Sequence, residues 1–131
     1  MTDELRFFVS GTPVGKARAR VVRQGGKSHA FTDDKTTAWE ARVRWRARVE
    51  VHKLRWKPTA ERCEVEIGLR GLSSRADVDN AAKAILDALN KVAWDDDRRV
   101  WSLLVRRDET LTADGALVIV RRGEREEGAR A

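Results

Sequence analysis

Apolar residues recur along the chain with two different periods, and the switches between them mark its elements. Leu5 to Val9 is a short apolar run that ends at Ser10-Gly11-Thr12-Pro13, which predicts a strand and then a turn. Residues 13–29 are glycine-rich and basic without a helical period, and read as a mobile loop or loose hairpin, with Ala30-Phe31 a short strand. A helix is expected from Lys35 to about His52, where Trp39, Val43, Arg46-Ala47 and Glu50-Val51 recur at three- and four-residue spacing. Thr32 or Asp33 is its expected cap and Lys57-Pro58 its expected end. Trp45, Val49 and Trp56 add apolar mass that blurs its core-facing stripe.

Cys63, Val65, Ile67 and Leu69 alternate with Glu64, Glu66 and Gly68, the signature of a strand with one apolar face. Gly71 to Ser74 reads as a loop and Val78 to Leu89 as a second helix. Ala82, Ile85 and Leu89 share its apolar face, and Asp79, Lys83 and Asp87 line a polar one. Val100–Val105 and Ala116–Val120 are two further strands, joined across Thr110–Gly115 with Asp114-Gly115 as the turn signal. The sum is a single small α+β domain over residues 1–122, with an antiparallel or mixed sheet of about four strands and two main helices packed on it. Residues 123–131 are charged and lack aromatics, which predicts a flexible tail.

Composition narrows the setting. With 41% apolar and 37% charged residues, the chain carries a small core under a heavily charged surface. The single cysteine, Cys63, excludes an internal disulfide and fits a reducing cytoplasm. Residues 1–10 lack the pattern of a signal peptide, and no apolar run approaches the ~18 residues of a membrane span. The expected location is the cytoplasm, in association with the nucleoid. The formal net charge is +6, and the excess is concentrated. Residues 16–27 hold Lys16, Arg18, Arg20, Arg23 and Lys27 with no acid, and residues 42–57 hold seven cations against Glu50 alone. Such a surface suits a polyanion. His29 and His52 are isolated and take no role.

Against that background, six carboxylates fall between Asp77 and Asp97. Two charges about 4 Å apart repel by roughly 1 kcal/mol in water and about 4 near a protein surface, so such crowding favours an intervening cation. Asp77 and Asp79 flank the start of the second helix, whose N-terminus favours negative charge. The helix and its return connection are expected to bring Asp96 and Asp97 back beside them. Two or three carboxylates completed by water describe a Mg²⁺ or Mn²⁺ site. Lys83 stands one turn after Asp79, where it can steady a phosphate oxygen or orient the attacking water. Each residue has a plainer role as well. Asp79 or Asn80 can cap the helix, Lys83 and Asp87 can form an ordinary ion pair, and Asp95-Asp96-Asp97 can be a solvated turn.

The run DVDNAAKAILDALNKVAWDDDRRV resembles the signature of the RusA-type Holliday-junction resolvases. The matching positions are Asp77, Asp79, Asn80, Lys83, Asp87-Ala88-Leu89-Asn90, Trp94, Asp96-Asp97 and Val100. GTPVGKARAR, AFT and the Trp39–Arg46 helix resemble the family's basic opening, so the resemblance spans roughly residues 5–120. It implies a crossover junction endodeoxyribonuclease of recombination and repair, acting as a homodimer on four-way DNA junctions with Mg²⁺ or Mn²⁺ and no organic cofactor. Asp77, Asp79 and Asp97 would be its catalytic metal-binding carboxylates and Lys83 its catalytic lysine. Asn80, Asp87 and Asp96 would support them, with Asp96 competing for the third ligand position because Asp95 makes a triple acid. Lys91 stands where many members carry Gly, which puts the turn there in question.

Lys16, Arg18, Arg20, Arg23 and Lys27 are the expected phosphate contacts, followed by Arg70 and Arg75. The five tryptophans are expected to pack in the core or a dimer contact rather than stack on bases. Two rival functions stay open: a nuclease of the same fold acting on flaps or forks, and a non-catalytic DNA-binding dimer.

Overall fold

The computed structural model describes residues 3–16, 20–24, 27–31 and 34–123. Arg18, the Thr32 and Asp33 cap positions and residues 124–131 of the tail lie outside them. Alternation in the first segment builds β1 (Glu4–Ser10), which turns Leu5, Phe7 and Val9 into the core. The basic segment that follows carries β2 (Arg20–Gln24) and β3 (Lys27–Phe31), paired with each other as an antiparallel hairpin apart from the main sheet.

The helix α1 (Asp34–Leu54) buries Thr36, Trp39, Val43 and Ala47, close to one side chain per turn, and Trp45 falls off that stripe at 66% exposure. The helix stops at Leu54, before the Lys57-Pro58 stop that the sequence predicts. Arg55 adopts a left-handed φ of 56°. Its amide donates to the His52 carbonyl at 3.2 Å, and the Trp56 amide donates to the Val51 carbonyl at 2.9 Å. This is a Schellman closure with arginine where glycine is usual. Trp56 drives it: the side chain is buried and its indole N–H donates to the Ala93 carbonyl at 2.9 Å.

The rest of the chain is β4 (Cys63–Arg70), α2 (Val78–Leu89), a single 3₁₀ turn (Asp97–Arg99), β5 (Val100–Arg107) and β6 (Gly115–Arg122). The four-stranded sheet runs β1-β6-β4-β5. β6 is antiparallel to both of its neighbours and β5 is parallel to β4, so the sheet is mixed. A parallel neighbour needs a crossover, and α2 supplies it. The connection turns at Glu109-Thr110 and only bends at Asp114 before Gly115 opens β6, and the strands on its two sides are not neighbours, because β4 lies between β5 and β6. Gly115 sits at φ 154°, and a Cβ there would strike the Val9 carbonyl and the Phe8 ring.

α1 packs on β1 and on α2, and α2 leans on β5. The buried face of α2 is Ala81, Ala82, Ala84, Ile85, Ala88 and Leu89. Its alanines allow close approach, and burial of Ile85 and Leu89 contributes about 1.5–3 kcal/mol each. Arg44 of α1 donates to the Asp87 and Ala88 carbonyls at 3.4 and 3.2 Å, satisfying the C-terminal end of a helix with no basic residue in its own last turn. Cys63 is fully buried between strands, and burial pushes its thiol up to about 11. No helix among the described residues is long and apolar enough to cross a membrane.

Candidate active site and nucleic-acid interface

The site is built where β4 hands over to α2. Gly71 takes a left-handed φ of 87° and starts the connecting loop. Arg107, from the end of β5, donates to the carbonyls of Leu72, Ser73 and Ala76 at 2.8, 2.9 and 2.8 Å. Those three bonds fix the loop that delivers Asp77. Asp77 occupies the position before the first helical residue in extended conformation, φ −88° and ψ 138°. Its carbonyl accepts the Ala81 amide at 3.1 Å, but its carboxylate makes no cap. Asp79 is exposed in the first helical turn. Among the described residues, neither carboxylate has a hydrogen-bonding or ion-pair partner. Both stand at the positive end of a helix, where negative charge is favoured.

A cleft of about 470 Å³ opens beside Asp77 and Asn80, between the Thr12–Lys16 segment and the loop after β4, with Lys35 and Arg75 in its lining. Its floor is held by backbone: the Lys16 amide donates to the Asn80 carbonyl at 3.0 Å, and the Thr36 hydroxyl donates to the Gly15 carbonyl at 3.3 Å. Gly15 sits close on the helix start, where a Cβ would lie 3.5 Å from that of Asn80.

The sequence-predicted cations divide by their partners. The Lys16 ammonium lies 2.7 Å from Asp87 and 3.2 Å from Glu40, so it ties the loop to both helices. Its hydrogen bond to Asp87 holds the ammonium above the ordinary lysine range. Lys83 lies 3.8 Å from Asp87 on the other side and is 64% exposed. Arg70 donates to the Leu111 carbonyl at 2.6 Å and lies 3.7 Å from Asp114. Arg75 is exposed on the cleft. Arg20, Arg23 and Lys27 fall on the hairpin strands.

The second acidic group is elsewhere. Asp95 takes Arg99 in a two-pronged contact at 2.7 and 3.1 Å, which holds its carboxyl below the usual carboxylate range. Asp96 accepts the Arg98 amide at 3.0 Å, and Asp97 accepts the indole N–H of the buried Trp94 at 2.8 Å. The 3₁₀ turn feeds Val100, which pairs with Cys63 at the start of β4, while Asp77 follows the end of β4. Asp97 and Asp77 thus stand at opposite ends of β5, about 25 Å apart for eight residues at ~3.3 Å each. The expectation that the return connection brings Asp96 or Asp97 beside Asp77 and Asp79 is not met within one chain. A parallel crossover carries the chain to the far end of the sheet before the next strand begins. Asp77 and Asp79 offer the hard oxygen donors that suit Mg²⁺ or Mn²⁺, yet no group of three or more His, Cys, Asp or Glu that could hold a metal forms among the described residues. The described residues therefore bring together part of a donor set.

Lys91 resolves the question posed by its departure from the glycine pattern. It adopts φ 70°, the conformation glycine favours, and its ammonium donates to the Asp95 carbonyl at 3.0 Å. Three residues of the site escape sequence reading: Arg107, Glu40 and Lys35. Trp94 is read in the sequence as a motif position and a packing residue, and the structure adds its contact to Asp97. The family model of the endodeoxyribonuclease RusA matches residues 10–121, which include the cleft, α2 and both acidic groups. No curated protein matches the chain.

Proposed function

The chain belongs to the RusA endodeoxyribonuclease family, and from that membership we propose a metal-dependent, structure-selective nuclease that resolves four-way DNA junctions by paired symmetric cuts, acting as a homodimer. The observation that carries this reading is the pair Asp77 and Asp79. Two carboxylates stand without a partner among the described residues at a helix start, beside a cleft lined by Lys35 and Arg75. A structural acid in a protein this basic would be taken up by a neighbouring cation, as Asp87 and Asp95 are.

Lys35 and Arg75 hold the backbone phosphates that flank the cut. A bound Mg²⁺ or Mn²⁺ would polarise the phosphodiester and make water a better nucleophile. In the hydrolysis, a water oxygen bonds to phosphorus and the bond to one bridging oxygen breaks. One strand end keeps the phosphate and the other leaves as a hydroxyl. The exposed ammonium of Lys83 offsets charge that builds on the phosphate oxygens. Lys16, engaged by two acids, positions the loop that lines the cleft.

The test is cleavage of a labelled synthetic four-way junction beside flap, fork and linear duplex, with Mg²⁺, Mn²⁺ or EDTA. Paired nicks in the junction that need metal, and that disappear in Asp79→Asn, are the expected result. Preference for flaps or forks would move the substrate assignment within the same chemistry. That no three-carboxylate group forms among the described residues favours a second reading, a non-catalytic junction-binding dimer. Tight junction binding with no cut under any metal, identical in wild type and Asp79→Asn, would select it.

A further inference from the structure

The cleft beside Asp77 does not end at Lys35. A second cavity, of about 480 Å³, shares Thr12, Val14 and Lys35 with it and reaches Ala38 and Arg42. A third, of about 450 Å³, shares Arg42 with the second and lies between Phe8, Trp45 and Arg46. Together they form one groove that runs from the candidate site along α1. Helical spacing builds it. Lys35, Ala38, Arg42 and Trp45 stand at i, i+3, i+7 and i+10, a stripe beside the buried one of Thr36, Trp39, Val43 and Ala47.

The groove joins positive charge to an open aromatic face. Lys35 and Arg42 are exposed along it. Arg42 donates to the Ser10 hydroxyl at 3.1 Å and meets no carboxylate among the described residues. Arg46 is held as a wall, by Glu50 at 2.9 Å and by the Phe7 ring, whose centroid lies 5.9 Å from its guanidinium carbon. At the far end Trp45 is 66% exposed, more than any other large apolar side chain among the described residues. We propose that this groove holds a single, unpaired strand of DNA leaving the cut site, with Lys35 and Arg42 on its phosphates and a base stacked on Trp45.

Charge and shape name the occupant. A row of cations follows a phosphate backbone whatever its sequence, and an exposed indole takes the face of any base. Within a duplex those faces are covered by the neighbouring pairs, so Trp45 selects for a strand that has left its partner. The step from Lys35 to Trp45 is about 15 Å at ~1.5 Å per helical residue. That is room for about four nucleotides at the ~3.4 Å spacing of one stacked strand. A fully paired junction must open pairs beside its branch point to reach Trp45, and a junction with those pairs already open need not. The inference rests on the endonuclease reading for where the strand is cut, whereas the preference for unpaired strand stands on the groove itself.

The experiment measures binding in EDTA, by fluorescence anisotropy, to two labelled four-way junctions. One is fully paired, and the other carries four mismatched pairs in one arm beside the branch point. Wild type should bind the opened junction about tenfold more tightly, the worth of one stacked base. Trp45→Ala should remove that preference and Trp45→Phe should keep most of it, with circular dichroism confirming both folds. Arg42→Gln should weaken binding to the opened junction and lower its salt slope by about one. Equal binding of both junctions by wild type overturns the proposal. So does a preference that survives Trp45→Ala, and a Trp45→Ala protein that keeps the preference but changes oligomeric state gives Trp45 to a subunit contact instead. Cleavage with Mg²⁺ separates this inference from the reading beneath it. Should wild type cut no branched DNA, the endonuclease reading fails and the binding preference still decides the groove. Should it cut the paired junction and show no preference, the groove fails and the endonuclease reading stands.

Discussion

The two acidic groups of this protein differ in how they are held. At the start of α2, Asp77 and Asp79 carry charge that no described side chain answers. At the entry to β5, Asp95, Asp96 and Asp97 are each engaged, by a guanidinium, a backbone amide and an indole N–H. The first group is a vacancy for charge and the second is a set of oriented groups. A carboxylate that is fixed by its own chain and a carboxylate that is left open serve different ends. The former is delivered in a set direction, and the latter waits for something from outside.

Substitution at the open group should have the largest effect on activity and almost none on stability. On the proposed metal-dependent reading, Asp79→Asn is expected to lower junction cleavage by at least about 100-fold, since several kcal/mol of transition-state charge stabilisation would go with the cation. Its unfolding free energy should stay within the scatter of surface substitutions, about 0.5 kcal/mol. A stability loss of several kcal/mol would show that Asp79 is a structural cap and erase the contrast.

Next is Arg107→Met. It frees three loop carbonyls that now take charge-assisted bonds, each worth about 1.5–3 kcal/mol at most. Cleavage at saturating junction should fall about tenfold while junction affinity holds, because the loop that presents Asp77 loosens. Gel shift beside single-turnover rates separates the two. Unchanged rates would mean that the loop needs no anchor.

Lys16→Met should cost about 1 kcal/mol at neutral pH through loss of the Asp87 and Glu40 contacts. Because the folded-state ammonium is held above its ordinary 10.5, the wild-type advantage is complete below that value. It fades as pH rises through the higher folded value. Urea unfolding of both proteins at pH 7, 9 and 11.5 reads this, and an advantage that grows with alkalinity would refute the assignment.

The smallest effect is at the turn between the two groups. Lys91→Gly relieves a left-handed lysine and should add up to about 1 kcal/mol, less the value of the lost Lys91 contact to Asp95. A clear destabilisation in urea would show that this contact matters more than the backbone.

Much of this arrangement is legible before any coordinates. α2 forms over Val78–Leu89 as expected, because alanine, isoleucine and leucine at helical spacing leave no other face to bury. β4 follows from strict alternation over Cys63–Leu69. What the sequence conceals is direction and distance. The spacing from Asp79 to Asp97 is the same whether β5 starts beside Asp77 or at the other end of the sheet, and only the parallel pairing of Cys63 with Val100 decides it. Lys16 reads as a free cation because Glu40 and Asp87 converge on it from two different helices. The end of α1 moves because the burial of Trp56 closes the helix ahead of Pro58. Local pattern fixes elements well, and long-range pairing decides which charges meet.

Cys63 brings a practical benefit. It is the sole cysteine of the chain and it is fully buried, with its thiol pushed up to about 11. In the folded protein it should ignore maleimides and iodoacetamide, since the reactive thiolate is scarce and enclosed. The molecule thus offers a silent background for site-directed labelling: a cysteine placed at Ser102 would react alone, and a dye there would report in real time where that strand goes.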